Sequence, residues 1–384
     1  MRIDLPASIA PSIAPLRGFI HRAHRVHPMI STCQTSTTAR IVMPMTKAFA
    51  IGSSRFNFQA AKQRSRLLKA MRSWFDSHGY LEVDTPLLSP DLIPEPTIHT
   101  FATTFSHEFL GSREFYLVPS PEVFMKKLLA AGSGSIYQFS HCFRNNEQIG
   151  SHHNPEFTML EYYTLDADEQ DSMALTEELL AATAPKNCPD HLLPPFRKMS
   201  MAAACHAYAG IDLEKNQDVR DLRRAALRLG LSLPEEPESW EDTFNRIFLT
   251  FVEPSLPQDK PLVLDKYPIQ IECLAAEDET GPWRKRWEMY AGGVELANCY
   301  DEMRDAQKIR AYYRKEYAKL STERSQNGAV IPDADLSFAD IFTKDFPRCS
   351  GVAMGMDRLL MLQTGITSLK GVILFPFPAM LGDG

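Results

Sequence analysis

Hydrophobic positions Leu67, Leu68, Met71, Trp74 and Phe75 recur at the spacing of one helix face, and Gly79 follows where a C-cap belongs. The pattern predicts an amphipathic helix over roughly 58–78. A strand-like YLEV (80–83) ends before Pro86 and gives way to a Pro-rich extended segment, 89–96. SPEVFMKKLLAAG (120–132) reads as a helix start, with Ser120 at the N-cap, Pro121 at the first helical position and Glu122 in the first turn. IYQFSHCFR (136–144) and EFTMLEYYTL (156–165) alternate as two strands, predicting a hairpin with a long polar connection. Residues 166–260 are mostly helical in pattern and hold no evident catalytic cluster. Strand character returns at YPIQI (267–271), WEMYAGGVELANCY (287–300) and GVAMGM (351–356), the last running into a helix-like DRLLMLQTG. No internal repeat is visible. Hairpin strands mixed with helices predict an α+β fold, an antiparallel sheet flanked by helices, in a single catalytic domain over 55–384.

Composition narrows the function classes. The 384 residues are 44% hydrophobic and 23% charged with a net charge of -7, so the chain as a whole is not built to bind a polyanion, although a local basic face remains open. No apolar run approaches the roughly 18–20 residues of a membrane span. The 7 cysteines include no CxxC pair, which reads as reduced thiols in the cytoplasm. Residues 1–54 contain one acid, Asp4, against several Arg and many Ser, Thr, Ala and Pro. That segment is expected to be disordered, either an organelle transit-like extension or an upstream addition before Met43 or Met45.

Three segments carry chemistry. Along the first hairpin strand Gln138, Ser140, Cys142 and Arg144 share a face, and on the second Phe157, Met159, Glu161 and Tyr163 project together. An arginine that forks onto phosphate and an aromatic plate for a base suit a nucleotide; a surface ion pair and a core aromatic suit each residue taken singly. In GVELANCYDEM (293–303) strict alternation places Asn298, Tyr300 and Glu302 on one face and Glu295 on the other. Both carboxylates reach one site only if a bulge breaks the strand between 295 and 298. Buried acids there would hold Mg2+ or a substrate ammonium, or one would pair with a structural Lys or Arg. In GVAMGMDRLLML (351–362) Arg358 stands where a strand enters a helix, and Asp357 reads equally well as a helix cap.

Together these segments resemble a class II aminoacyl-tRNA synthetase core. HGYLEVDTPLL (78–88) is similar to motif 1, FRNNEQIGSHHNPEFTMLEYY (143–163) to motif 2 and GVAMGMDRLLML to motif 3. Within the class, HNPEFTMLE and the GxELANxxxE segment resemble lysyl-tRNA synthetase. That enzyme carries an anticodon-binding barrel ahead of its core, and residues 1–54 show none of the alternating strands of such a barrel. The resemblance therefore narrows to the freestanding cores of the elongation factor P lysine ligases, which SPEVFMKKLLAAGSG and CSGVAMGMDR also resemble. Ala353 agrees, standing where the synthetase pattern has glycine and the ligases have alanine.

The resemblance implies ATP-dependent activation of lysine or (R)-β-lysine as the adenylate and transfer to a lysine of elongation factor P. It also implies Mg2+, a homodimer, no membrane, and no tRNA acceptor. A minimal lysyl-tRNA synthetase and a non-catalytic amino-acid-sensing paralogue are the alternatives, and intact Arg144 and Arg358 speak against the second. By resemblance, Arg144 and Arg358 are the catalytic arginines on the α- and γ-phosphates. Phe157 stacks on adenine, and Asn145, Asn146, Glu147, Asn154, Glu295, Leu296 and Gly355 complete the ATP site. Ser120, Pro121, Glu122, Tyr163, Asn298 and Glu302 match the lysine pocket, with Glu122 and Glu302 suited to the side-chain ammonium. Glu295 and Glu302 match the metal-associated acids. One departure stands out: the loop between Arg144 and His153 is one residue longer than the family pattern, leaving Asn146 and Glu147 as rivals for reading the base.

Overall fold

Asn57 accepts the Ala60 N–H and opens α1 (Phe58–Ser77), whose buried Leu67, Met71, Trp74 and Phe75 form the predicted stripe. The helix stops where Gly79 takes a φ of 76°, a conformation costly for a side chain. The computed structural model describes residues 56–235 and 238–381; the expectations for residues 1–54 lie outside them. The chain continues through β1 (Leu81–Glu82), β2 (Leu88–Ser89), β3 (Ala102–His107), β4 (Gly111–Leu117), α2 (Glu122–Ala130), β5 (Ile136–Phe143), β6 (Glu156–Leu165), α3 (Glu169–Thr183), β7 (Arg197–Ser200) and α4 (Met201–Ala209). Then come α5 (Val219–Arg228), α6 (Trp240–Ile247), β8 (Leu262–Pro268), β9 (Glu277–Asp278), β10 (Trp283–Ala291), β11 (Val294–Asp301), α7 (Ala306–Asn327), β12 (Cys349–Gly355), α8 (Met356–Thr364) and α9 (Phe377–Met380).

The main sheet runs β1-β5-β6-β12-β11-β10-β8-β7, with β9 attached to β10. Its centre is antiparallel, as expected, while the outer pairs β1/β5 and β7/β8 are parallel. Alternation divides the two faces. Tyr137, Leu160, Tyr162, Trp287 and Val352 pack with Phe75 and Leu359 beneath α1, α3 and α8. Burying each such side chain contributes about 1.5–3 kcal/mol. On the opposite face Ile136 and Tyr163 meet α2 and α7 through Met125, Leu129 and Tyr313. The helical segment α4–α6 packs its own cluster, including Phe244 and Phe248, against Leu262, Leu264 and Tyr290.

Four local expectations change. YPIQI is only the end of β8, which stops at Pro268, because Pro268 cannot extend a ladder and Lys266 already turns to a φ of 56°. The helix α2 begins after Pro121, without a side-chain cap, so Ser120 is not its N-cap. The segment 287–300 is two strands joined at Gly292 and Gly293, both at positive φ as a tight hairpin turn requires. The fourth is α7, unforeseen although its signals are ordinary: Asp305 caps it, Gly328 ends it at a φ of 64°, and Ile309, Tyr313 and Leu320 share its buried side.

Candidate active site

The polar face of β6, β10, β11 and β12 opens into a cavity of about 560 Å³, which continues into a smaller one of about 100 Å³. Glu95, Arg144, Met159, Asn298, Tyr300 and Ala353 line both, so the two form one bent space.

The larger limb is built by the β5–β6 hairpin and the start of α8. Arg144 leaves the end of β5 with its guanidinium 5.2 Å from the centre of the Phe157 ring. Its Nε is buried with no hydrogen-bond partner among the described residues. A buried donor without a partner is costly, and a ligand oxygen would satisfy it. The Asn145 N–H donates to the His99 carbonyl at 2.8 Å, and the exposed Asn145 side chain accepts the Asn146 N–H at 2.9 Å. Asn146 is exposed at a φ of 54°, a conformation asparagine tolerates better than most residues. The chain turns there, and Glu147 lines the cavity. Neither Asn145 nor Asn146 lines it.

Arg358, in the first turn of α8, donates to the His152 carbonyl at 3.1 Å, the Glu295 carbonyl at 2.8 Å and His153 Nε2 at 2.8 Å. Burial, followed by the Arg358 charge, lowers the pKa of His153, which keeps the ring neutral and able to accept. Asn154 uses both ends of its amide, donating to the Glu156 carbonyl at 2.5 Å and accepting the Phe377 N–H at 2.9 Å, so it anchors the loop. Asp357 does not cap α8, whose N-cap is Gly355. Its buried carboxylate instead accepts the Thr158 N–H at 2.6 Å and pairs with Arg64.

The bulge that the acids required is present. Met289 pairs with Ala297 and Tyr290 with Glu295, so Leu296 is the extra residue of β11. Glu295, Leu296, Ala297, Asn298 and Tyr300 all line the cavity, Leu296 and Ala297 being themselves buried. Desolvation, then the neighbouring Glu288, raises the Glu295 carboxyl to about 7. Glu288, on β10, also lines the cavity and accepts the Tyr290 hydroxyl at 2.9 Å. Sequence reasoning missed Glu288; the two-glycine turn between it and Glu295 was the available signal. The structure groups Glu295 with Glu288 rather than with Glu302. Among the described residues no cluster of three or more His, Cys, Asp or Glu could hold a metal.

The smaller limb collects Ser120, Glu122, Glu161, Tyr163, Asn298 and Glu302. Ser120 does not cap α2 and lines the space; Pro121 lines neither limb but accepts the Phe124 and Met125 N–H groups. Glu122 and Glu302 share a cation already in the protein: Lys126 Nζ lies 2.5 Å from Glu122 and 2.7 Å from Glu302. Burial alone would lower the Lys126 pKa, but the two carboxylates hold it above the usual lysine range. Desolvation, with Lys126 opposing and Glu122 adding, leaves Glu302 raised to about 7. Glu161 was not foreseen as a ligand group, although alternation placed it beside Tyr163. It is 3% exposed, accepts the Tyr163 hydroxyl at 2.7 Å, and has no ion-pair partner among the described residues. Desolvation and Glu122 push its carboxyl up to about 8. The Asn298 Oδ1 is likewise buried without a partner.

The pattern of the class II tRNA synthetases (D, K and N) matches residues 47–378. The chain belongs to that family, and ATP use comes with membership. It is similar to the elongation factor P–(R)-β-lysine ligase of Vibrio vulnificus (strain YJ016), at 34% identity over 325 residues, 84% of this chain and 97% of that one. The ligase of the same description from Yersinia enterocolitica is 35% identical over 317 residues, covering 82% of this chain and 94% of its own length.

Proposed function

We propose that this enzyme activates lysine or (R)-β-lysine with ATP and transfers it to a lysine side chain of elongation factor P. The observation that carries the reading is the bent cavity: an unpartnered Arg144 over Phe157 in one limb, and a buried acidic pocket in the other. The ATP base stacks on Phe157, the α-phosphate takes the free Nε–H of Arg144, and Arg358 holds the β6 loop against β11 and borders the outer phosphates. The amino-acid carboxylate attacks the α-phosphorus and pyrophosphate leaves. The acceptor amine then attacks the adenylate carbonyl and AMP leaves; no nucleophile of this chain is required. Ser120, Glu122, Glu161, Tyr163, Asn298 and Glu302 bind the amino acid, and Glu161 receives the distal ammonium.

Mg2+ usually takes one or two carboxylates together with substrate phosphates, and Glu288 and Glu295 supply that set on the wall of the larger limb. When bound, the ion offsets phosphate charge. Glu147 is the base-side residue in preference to Asn146. We further assign a homodimer, a cytoplasmic location and no tRNA acceptor. Among the described residues no helix is long and apolar enough to cross a membrane, and the six cysteines described are free thiols.

The test is incubation with ATP and labelled lysine or β-lysine in the presence of either elongation factor P or tRNA. Label is expected on the factor; label on tRNA alone would reverse the assignment in favour of a minimal synthetase.

A further inference from the structure

Three carboxylates converge at the deep end of the smaller limb, and one internal cation sits among them. Lys126 has a side chain 1% exposed and bridges Glu122 and Glu302, while Glu161 has only the Tyr163 hydroxyl. At the junction of the limbs stands a fourth carboxyl, Glu95, which desolvation and then Glu122 raise to about 7 against the opposing charge of Arg144. With all three carboxylates ionised the deep end would carry three negative charges against one positive, an excess of two that only bound protons or an incoming cation can offset.

We propose that Lys126 is a specificity-determining residue: by neutralising one of three buried carboxylates it leaves two, so the pocket takes an amino acid with two cationic amines and rejects those with one. The inference rests on the amino-acid-activating reading above. Its physical basis is the penalty for burying unpaired charge. With the substrate's own carboxylate turned to the nucleotide, a diamine displaces the proton from Glu161 and leaves no carboxylate uncompensated, whereas a monoamine leaves one that must keep its proton or stay unpaired. Lys126 cannot withdraw to make room, because it stands one turn from Glu122 on α2, between the buried Met125 and Leu129. A pocket with the same three acids and no internal lysine would call for a third cation or a bound proton.

The test compares lysine with norleucine, its isostere lacking the distal amine, in amino-acid-dependent pyrophosphate exchange by the full chain. Glu302→Gln reduces the excess to one, and the lysine-to-norleucine ratio of kcat/KM should fall about a hundredfold. Adding Lys126→Met restores the excess to two, and the double variant should recover at least about tenfold of that ratio. A double variant no more selective than Glu302→Gln, with an unchanged KM for ATP, would overturn the inference and leave Lys126 a packing residue. If the double variant does not fold, Lys126→Arg decides: it keeps the charge and should hold selectivity within about threefold, whereas lost selectivity at normal ATP binding rejects the proposal. Wild-type exchange with neither lysine nor β-lysine would instead bring down the activating reading itself, and this inference with it.

Discussion

The Thr158 N–H donates to the Asp357 carboxylate at 2.6 Å, joining the start of β6 to the first turn of α8. Phe157 and Arg358 are the next residues along each element, so one buried acid sets the aromatic plate against the arginine. Arg64 of α1 completes the pair. Asp357→Ala leaves a guanidinium and a backbone donor without their partner, which should cost about 3–5 kcal/mol of stability. Urea unfolding should show an earlier midpoint at unchanged m, and the KM for ATP should rise with it. An unmoved midpoint would show that the pair holds nothing together.

Phe157 offers its ring to Arg144, and in the proposed function to the base. Phe157→Ala should weaken ATP binding by about tenfold or more, the usual worth of one base-stacking aromatic. Phe157→Tyr should stay near wild type. Calorimetric titration with ATP checks both, and the KM for lysine serves as the control that should not change.

The Glu161 carboxyl is raised to about 8, first by desolvation and then by Glu122. Below that pH the free enzyme holds a proton that an incoming ammonium must displace. The KM for lysine should therefore fall as pH rises from 6 to 8 and level off above. Glu161→Gln should raise that KM by at least about tenfold and flatten its pH dependence. Stability has the opposite sign. A carboxyl raised above its unfolded value favours the fold fully below the unfolded pKa, and that contribution is lost as pH rises through about 8. Thermal melts of the ligand-free protein should move downward between pH 6 and pH 8.5, and the shift should shrink in Glu161→Gln.

The strands that carry the site were legible because their alternation is strict: Tyr137 and Tyr162 are buried on one face, Gln138 and Glu161 on the other. Even the bulge at Leu296 was implied, since Glu295 and Asn298 could not otherwise share a face. What escaped the sequence was pairing. Nothing in the spacing of Lys126 says that it bridges acids from α2 and the end of β11, because Glu302 is far from it along the chain. Asp357 read as a cap for the same reason: its partners Thr158 and Arg64 are neighbours only in the folded protein. The parallel edge pairs were hidden because strand orientation depends on connections, not on local pattern.

Glu288 and Glu295 line the limb assigned to the phosphates, and Glu302 belongs to the other limb. Glu288→Gln should raise the Mg2+ concentration for half-maximal pyrophosphate exchange several-fold, on the order expected for loss of one of two carboxylate ligands. Glu302→Gln should leave that concentration where it is while impairing lysine use. An Mg2+ midpoint that moves only with Glu302→Gln would transfer the ion to the smaller limb.

Gly351 lies on β12 beside the amino-acid pocket, where a methyl group would stand 2.5 Å from Tyr163 Cε1 and 2.8 Å from Glu302 Oε1. Neither neighbour can give way easily. Tyr163 is 2% exposed and held by Glu161, and Glu302 is held by Lys126. Gly351→Ala should thus push on the two side chains that shape the pocket while leaving the larger limb untouched. Overpacking of this kind costs about 1–3 kcal/mol of stability, so the variant should still fold. The expected result is a fall of about a hundredfold in kcat/KM for lysine with ATP affinity within about twofold of wild type. Ala353→Gly, two residues along the same face, removes a methyl instead of adding one and should leave the protein able to activate amino acids, with altered preference between lysine and β-lysine. If Gly351→Ala activates lysine normally, Tyr163 and Glu302 do not border the bound amino acid, and the substrate must lie elsewhere in the bent cavity.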